Sequence, residues 1–388
     1  MRVKNRQQMA QVLNDRMTRT YSSLSERQEL EPDTSLVKTY LIEAHLSESA
    51  ESEKALALAE KVFSQQNFAG KSQVKTSRAE EPTLISVEMR TKDEHWVTYV
   101  DFTNSRYWLL HSLASSNSMD WMIQKLIKNS PELDRAWLSA DFLEYISKLG
   151  SFRGLNLDYD RRMLFYTDDS KFLKTPLEFL KMQLWGDKAA DVLRILRDKK
   201  AFPHETTLSK VKIKFWLDKQ ENGDFSLDDI KYDGKITARG TSFQSHISLI
   251  SHIYEKYALQ IRKIEKDFAL KSVENDGRLN LEGEPINIML GRPIDDLNGF
   301  CESVFSSSEP FRLWGVPIQL SKYFYRVHAF DIHISGTMVF EISPDFIRIY
   351  LPSGSCGNSI IRFYTNMQHH YDSLIKALDG NGRAIFEF

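Results

Sequence analysis

The chain is poor in cysteine and has little net charge. Its 388 residues include only two cysteines, Cys301 and Cys356, and no Cys-x-x-Cys pair. This usage fits a reducing compartment, so we expect a cytoplasmic protein, and it excludes a cysteine-based structural zinc site. The 51 basic and 53 acidic side chains leave a net charge of −2. No overall field therefore draws the protein to nucleic acid or to anionic lipid.

Several motifs of large enzyme classes are also missing. The sequence contains no Gly-x-Gly-x-x-Gly, P-loop, His-Glu-x-x-His or Gly-x-Ser-x-Gly pattern, which argues against Rossmann dehydrogenases and nucleotide-driven motors. No apolar run approaches the roughly 18 residues of a membrane span, and the N-terminus lacks the apolar segment of a secretion signal. We therefore predict no bound cofactor and no membrane contact.

Apolar and aromatic residues, in contrast, are abundant enough to form real cores. Hydrophobic residues make up 41% of the chain and aromatic residues 12%. Hairpin and meander patterns alternate with helical patterns, which predicts an α+β fold with antiparallel sheets. We divide it into a helical N-terminal region (1–75), a central α+β domain (83–270) and a β-rich C-terminal α+β domain (285–388).

The clearest strand pattern starts at residue 210 and predicts a three-stranded meander over about 210–239. Its turns would be Asn222-Gly223 and Asp233-Gly234, which are typical hairpin dipeptides. The polar stretches 70–82 and 271–284 are interpreted as boundaries between domains. A second meander is predicted over 323–351. Helices are predicted over 131–149, from 175 onward, over 250–268 and over 358–378.

The most specific local feature is the turn Leu351–Ser359, which joins a predicted strand to a predicted helix. Unpaired N–H groups at a helix start favour a thiolate, so Cys356 is a candidate nucleophile. Arg362 follows six positions later. The Cys-x5-Arg spacing resembles the phosphate loop of cysteine-dependent phosphatases. The resemblance implies thiolate attack on phosphorus and an arginine that clamps the phosphate oxygens.

A cysteine hydrolase is the wider form of this hypothesis, with Asp331 orienting a histidine base. The candidate bases lie on the preceding strand and the following helix: His328, His333, His369 and His370. By strand parity, Asp331 and His333 share one face and His328 lies on the other, so we predict no metal site here. The structural alternative makes Cys356 a small buried residue, Asn358 the helix cap and Arg362 a solvated side chain.

The central meander suggests contact with nucleic acid. Lys210, Lys212 and Lys214 form a row that could contact phosphates, and Trp216 has the same parity and could stack on a base. Outward lysines on an amphipathic strand are the structural alternative. The triplet Asp233–Lys235 also resembles the Asp-x-Lys pattern of metal-dependent nucleases of the restriction type. A hairpin turn is the alternative interpretation of that triplet.

We therefore predict a non-catalytic binding component of an intracellular assembly that contacts nucleic acid or a partner protein, and a protein partner or a homo-oligomer is expected. The absence of reaction motifs favours this function, as do 7 Trp and 15 Tyr residues, which interfaces favour. The setting we expect is a prokaryotic system of antiviral defence or mobile elements. The alternative is a cysteine- or metal-dependent hydrolase, either a phosphoesterase or a nuclease.

Overall fold

A computed structural model describes residues 3–25, 36–64, 68, 72–164, 177–198, 202–217, 223–275 and 278–388. Over these residues the fold is α+β, which confirms the predicted class. Their strands form an antiparallel sheet of eleven strands and a mixed sheet of eight strands. Among the described helices, none has both the length and the apolar character that a membrane crossing requires.

The described helices are α1 (Arg6–Ser25), α2 (Ser52–Val62), α3 (Ser116–Asn129), α4 (Ala140–Ile146), α5 (Ala189–Asp198), α6 (Phe243–Lys263), α7 (Leu297–Val304) and α8 (Gly357–His370). The described strands are β1 (Val37–Ala44), β2 (Gln73–Arg78), β3 (Leu84–Arg90), β4 (His95–Asp101), β5 (Tyr107–Ser112), β6 (Leu133–Arg135), β7 (Ser151–Asp160), β8 (Phe179–Trp185), β9 (Leu208–Trp216), β10 (Phe225–Lys231), β11 (Lys235–Gly240), β12 (Ala269–Asn275), β13 (Arg278–Glu282), β14 (Ile286–Met289), β15 (Leu313–Ser321), β16 (Phe324–Asp331), β17 (Gly336–Ile342), β18 (Phe346–Pro352) and β19 (Lys376–Leu378).

The chain folds as two compact units. Unit 1 comprises Met1–Ala136, Ser147–Phe152 and Lys212–Glu255, and unit 2 comprises Trp137–Ile146, Arg153–Val211 and Lys256–Phe388. Each unit is thus assembled from segments that are separated in sequence. The division into three consecutive domains stays a prediction.

Unit 1 is built on a sheet in the order β2-β3-β4-β5-β1-β11-β10. Helices α2 and α3 cover one face, where Ala59 and Ile123 pack in a core cluster with Ile42 of β1. Helix α1 and the first residues of α6 cover the other face through Leu13 and Phe243. The centre of the sheet is therefore enclosed on both sides.

Strand β1 was not predicted from the sequence. All eight of its residues are buried, and these include Lys38 and Glu43, whose carboxylate accepts a hydrogen bond from Nε of Arg106 at 2.8 Å. A strand that is covered on both faces does not alternate polar and apolar residues. The sequence of β1 therefore shows no alternating pattern that would identify a strand. Helices α1 and α2 do form in the region that was predicted to be helical.

The central meander is confirmed as β9, β10 and β11. The Asp233-Gly234 turn forms as predicted: Gly234 has a φ of +78°, and its N–H donates to the carbonyl oxygen of Lys231 at 3.1 Å. A positive φ at this position suits glycine, which has no Cβ to clash. The Asn222 side of the other predicted turn lies outside the described residues.

The polar stretches 70–82 and 271–284 contain β2, which pairs with β3, and most of the paired strands β12 and β13, and their role as domain boundaries stays a prediction. Two predicted helices were wrong because long-range pairing overrode local signals. The helix predicted from 175 is wrong from 179, where β8 pairs with β7, while Thr175 and Pro176 lie outside the described residues. The helix predicted over 131–149 is reduced to α4, which follows the short strand β6.

Unit 2 contains a sheet in the order β13-β12-β18-β17-β16-β15, with β14 pairing both β18 and β19. The predicted meander over 323–351 is confirmed as β16, β17 and β18, and β15 adds an edge strand. Helix α8 is buried along nearly its whole length. It packs on one face of this sheet, where the ring centroids of Phe363 and Phe340 lie 5.4 Å apart. We call this side the inner face and the opposite side of β15–β18 the outer face.

Candidate functional site

The turn that sequence analysis singled out precedes helix α8 in unit 2. Cys356 is the N-cap residue, with φ −84° and ψ 126°, and its side chain makes no capping hydrogen bond. The N–H of the next residue, Gly357, donates to Oε1 of Glu265 at 2.9 Å. A carboxylate of the protein itself therefore meets the positive end of the helix dipole, where the phosphatase resemblance places a substrate phosphate.

Arg362 is buried rather than solvated, which corrects the structural alternative. Its Nε donates to the carbonyl oxygen of Phe311 at 2.8 Å, and its Nη2 donates to Oδ1 of Asp331 at 2.6 Å. Both side chains of this ion pair have no exposed surface. The guanidinium is thus directed at the inner face of β16, and these contacts do not form a phosphate clamp.

Asp331 gathers several donors around this ion pair. In addition to Arg362, its Oδ1 accepts a hydrogen bond from the backbone N–H of His333 at 2.9 Å, and its Oδ2 accepts one from the hydroxyl of Ser359. Hydrogen bonds that involve a charged group are shorter and stronger than those between neutral groups. The arrangement joins α8 to β16, which is a structural role.

Cys356 does have an imidazole close to it. A ring nitrogen of His333 lies within 4.8 Å of its Sγ, and the thiol and the histidine are both fully buried. A cysteine and a histidine at such a separation have the chemistry of a nucleophile and base. A substrate would have to reach a pair that is enclosed in the folded protein.

The three remaining predicted bases lie apart from this pair. His370 is at the far end of α8, with its Nδ1 2.9 Å from the carbonyl oxygen of Asp160. His328 is exposed on the outer face of β16, as strand parity predicted, while Asp331 lies on the inner face. His369 is buried, and its Nδ1 is 2.8 Å from the carbonyl oxygen of Asp158. The structure therefore brings together Cys356 with His333, and Arg362 with Asp331.

The lysines predicted to bind nucleic acid do not form an open row. Lys212 is only 7% exposed and lies 3.2 Å from Oδ1 of Asp229. The ammonium of Lys214 lies 4.9 Å from the ring centroid of Trp216, and Lys210 is half-buried. Because no residue of β9 is exposed, lysines that alternate with apolar residues do not mark a solvated face here.

The Asp-x-Lys triplet divides its charges between different partners. Asp233 lies 2.8 Å from Nζ of Lys231, whereas Lys235 binds Asp120 at 2.8 Å. Burial would raise the pKa of Asp233, but Lys231 and then Arg135 outweigh it and lower the pKa to about 2. The carboxylate thus belongs to an ion-pair cluster at the hairpin turn, in agreement with the turn interpretation.

Sequence analysis missed a buried polar network in unit 1. Nδ1 of His246 lies 2.5 Å from Oδ1 of Asp228, its Nε2 lies 2.8 Å from Oγ1 of Thr39, and that oxygen lies 2.9 Å from Nδ1 of His111. The order carboxylate, imidazole, hydroxyl matches that of a hydrolase triad. All four side chains are buried, however. They come from four different elements, so no sequence spacing could have revealed them.

The electrostatics of this network also favour a structural role. Burial, followed by the proximity of His246, lowers the pKa of His111 to about 3. His111 is therefore neutral at physiological pH, and the threonine hydroxyl is shared between two imidazoles inside the core. Such a fully enclosed network fixes the positions of the strands that carry it.

The outer face of β15–β18 is open to solvent. Trp314 is 49% exposed, Val316 60% and Phe330 46%, and the rings of Trp314 and Phe330 lie with their centroids 6.0 Å apart. Ile318 and Leu320 continue the apolar surface along β15. Large exposed apolar patches of this kind mark binding sites in soluble proteins.

Charged residues occupy one row of this outer face. Strand register places Ile318, Arg326, Glu341 and Arg348 side by side. Glu341 accepts a hydrogen bond from Nη2 of Arg326 at 2.7 Å and lies 3.6 Å from Nη1 of Arg348. Two arginines and one glutamate leave this row with a charge of +1, so the face has no strong field of one sign.

Comparison with known proteins gives the family. A model of the MJECL33-like proteins matches residues 1–384. The chain belongs to the MJECL33-like family. A curated relative from Methanocaldococcus jannaschii, called "Uncharacterized protein MJECL33", is 27% identical over 403 residues, which cover 96% of this chain and 93% of that protein.

The family match includes both units of the fold. Residues 1–384 contain the buried network of unit 1 as well as the inner and outer faces of unit 2. In this MJECL33-like protein, the Cys356–His333 pair and the network around His246 are enclosed, whereas Trp314, Val316 and Phe330 are exposed on one face of a sheet. The outer face is therefore our candidate functional site.

Proposed function

We propose that the protein is a non-catalytic binding component whose outer face docks a partner protein. The observation that supports this proposal is the exposure of Trp314, Val316 and Phe330 on neighbouring strands. Tryptophan and arginine dominate binding energy at protein interfaces. Here the exposed rings of Trp314 and Phe330 share one sheet face with Arg326, two rows away.

A protein partner fits this surface better than a nucleic acid does. Nucleic-acid binding depends on several cationic side chains that neutralise phosphates, whereas this face has two arginines, and Glu341 offsets half of their charge. Aliphatic side chains such as Val316 and Ile318 do not stack on bases. They do contribute well to a desolvated protein interface.

Docking on the sheet face is favoured over addition of a strand at its edge. The N–H of Gly315 donates to the carbonyl oxygen of Phe305 at 3.2 Å, and the N–H of Ser307 donates to the carbonyl oxygen of Leu313 at 2.7 Å. Pro317 has the same parity as Gly315 and has no N–H to donate. This edge of β15 is therefore partly covered and partly without a donor, which hinders pairing with another strand.

The test is a quantitative affinity purification from the source cells. The tagged full chain is compared with a Trp314→Ser, Phe330→Ser double variant and with Trp185→Ser, which removes an exposed tryptophan of β8. We expect the double variant to retain its partners at least about tenfold less than the native chain, in line with the loss of interface anchors. The Trp185→Ser control should retain them.

Two outcomes would overturn this proposal. One is equal retention of the same proteins by the native chain and the double variant. The other is retention of single-stranded or duplex oligonucleotides that the double variant loses, with the steep salt dependence of phosphate contacts. That second result would assign the outer face to nucleic acid.

The enclosed Cys356–His333 pair supports a cysteine hydrolase as the second candidate function. It would require the protein to open so that a substrate reaches the thiol. Hydrolysis of an activated ester or phosphate ester that disappears in Cys356→Ser and His333→Gln would favour it. Activity that survives both substitutions would remove it.

A further inference from the structure

We infer that the partner on the outer face is a second copy of this chain, docked face to face. The inference rests on the proposed function and names the occupant of the same surface. The two-fold axis of this dimer lies between the two sheets, one from each copy, and is perpendicular to the strands. It crosses β15 between Val316 and Ile318. Each β15 then lies over the β15 of the other copy and runs in the opposite direction.

The arrangement of charge on the outer face leads to this axis. One row consists of Ile318, Arg326, Glu341 and Arg348, and the neighbouring row consists of Val316, His328, Val339 and Tyr350. The first row contains guanidinium and carboxylate groups, and the second contains neither. An axis between the rows places the charged row of each copy against the uncharged row of the other. Two positively charged rows therefore do not face each other.

The pairs that this axis creates at β15 and β18 are complementary in type, while Arg326 meets His328, and Glu341, which pairs with Arg326 and Arg348 of its own row, meets Val339. Val316 of one copy meets Ile318 of the other twice, which places β-branched residues at the centre. Trp314 lies at one end of the strip and Leu320 at the other, so each copy's Trp314 meets the other copy's Leu320. Arg348 meets Tyr350, and a guanidinium over an aromatic ring is favourable. The same patch is thus self-complementary, as a two-fold interface requires.

The size of the outer face suits a reversible dimer. Four strands of seven to nine residues cover roughly 20 by 23 Å, or on the order of 450 Å² in projection. Side chains that stand out from the sheet raise the accessible area above this projection. A standard interface buries about 800 Å² on each partner. The face therefore lies at the lower end of specific interfaces, and we expect dissociation in the micromolar range.

The experiment measures the molar mass of the purified full chain by analytical ultracentrifugation between about 1 and 100 μM, which brackets that affinity. We expect the native chain to shift from monomer to dimer across this range. Val316→Lys alone and Ile318→Glu alone should each stay monomeric, because each places two new charges at the apolar centre of the interface, each against an apolar side chain of the other copy. Leu279→Lys, at an exposed site of β13, should dimerise like the native chain.

The decisive measurement mixes the two interface variants. In a mixed pair, Lys at 316 meets Glu at 318, and the other contact is the native Ile318 with Val316. We therefore expect an equimolar mixture to recover dimer to at least half the native extent. Since each variant is first shown to unfold at nearly the native denaturant concentration, loss of dimer cannot be ascribed to misfolding.

Each result has a definite meaning. A native chain that stays monomeric at all concentrations overturns the inference, and so does a mixture that stays monomeric. If the affinity purification also shows that the double variant loses another protein, the binding function stands and only the second copy is wrong. If that double variant loses nothing in cells and the purified native chain stays monomeric, the proposed function fails as well.

Discussion

The two faces of the sheet in unit 2 each hold residues of the type expected on the other, a buried ion pair on the inner face and exposed aromatic residues on the outer face. On β16, Asp331 is fully buried, and its neighbour Phe330 is 46% exposed. The inner side holds a carboxylate, a guanidinium and a thiol, which are groups that sequence analysis assigned to catalysis. The outer side presents aromatic and β-branched residues that resemble a core. Residue type alone therefore assigns the wrong role to both faces.

The two faces differ in how the free energy changes when their contacts are broken or covered. A buried ion pair such as Arg362–Asp331 adds little stability compared with an apolar pair, but breaking it leaves an uncompensated charge. Exposed apolar side chains gain free energy when another surface covers them. The inner face is thus suited to fixing the fold, and the outer face is suited to association.

The largest expected effect is on the rate at which the thiol of Cys356 is alkylated. Because it is fully buried, alkylation requires a local opening of the protein. We expect iodoacetamide to modify native Cys356 at least about a thousand times more slowly than the denatured chain. Mass spectrometry of proteolytic fragments gives the rate. As a control, Ser321→Cys adds an exposed thiol on β15, and a native Cys356 that reacts as fast as this control would contradict the enclosed inner face.

Removing the carboxylate of the inner ion pair should have the next largest effect. Asp331→Ala leaves the Arg362 guanidinium buried without its carboxylate, and we expect a loss of about 3 to 5 kcal/mol in the free energy of unfolding. Denaturant titration of the full chain measures it. The matched control is His328→Ala on the outer face of the same strand, expected within about 0.5 kcal/mol of the native chain. Equal effects of the two substitutions would remove the distinction between the faces.

The sequence predicted the fold class and the elements whose residues alternate in burial. Meander strands β16 to β18 have one buried and one open face, so period-two patterns identified them. Strand β1 is buried on both faces, and Lys38 and Glu43 interrupt its apolar residues. Strand β8 follows a helix-start signal near Thr175, but pairing with β7 decides its structure. Local patterns thus fail where tertiary contacts decide.

The candidate site was harder to predict than the fold. Strand parity correctly separated His328 from Asp331, because parity is a local property. Whether Arg362 is solvated depends on what covers α8, and α8 is buried all round. The buried network of unit 1 joins Thr39 to His246 across 207 positions of the chain. Such contacts cannot be found from spacing within one sequence.

In unit 1, a buried histidine is expected to make the stability of the protein depend on pH. The pKa of His111 falls to about 3 in the folded state, whereas an unfolded histidine has a pKa of about 6.5. Between these values only the unfolded chain binds the proton, so stability is full above about pH 6.5 and decreases as pH falls toward 3. We expect this residue to contribute a slope of about 1.4 kcal/mol per pH unit.

The measurement is the unfolding free energy of the full chain at several pH values below about 6.5. His111→Asn should reduce the slope, because it removes the titrating group. The control is His252→Asn at an exposed position of α6, which should leave the slope nearly unchanged. A slope that is equal in the native chain and in His111→Asn would show that the buried imidazole does not titrate in this way.

The smallest expected effect on the isolated chain comes from the outer face. Trp314 is half-exposed, so Trp314→Thr, which keeps a good strand former, should change the unfolding free energy by about 1 kcal/mol or less in dilute solution. A dimer stabilises the folded state by mass action. The denaturation midpoint of the native chain should therefore rise with protein concentration, and that of Trp314→Thr should not. A large loss of stability in dilute solution would instead mean that the outer face, like the inner one, holds the fold together.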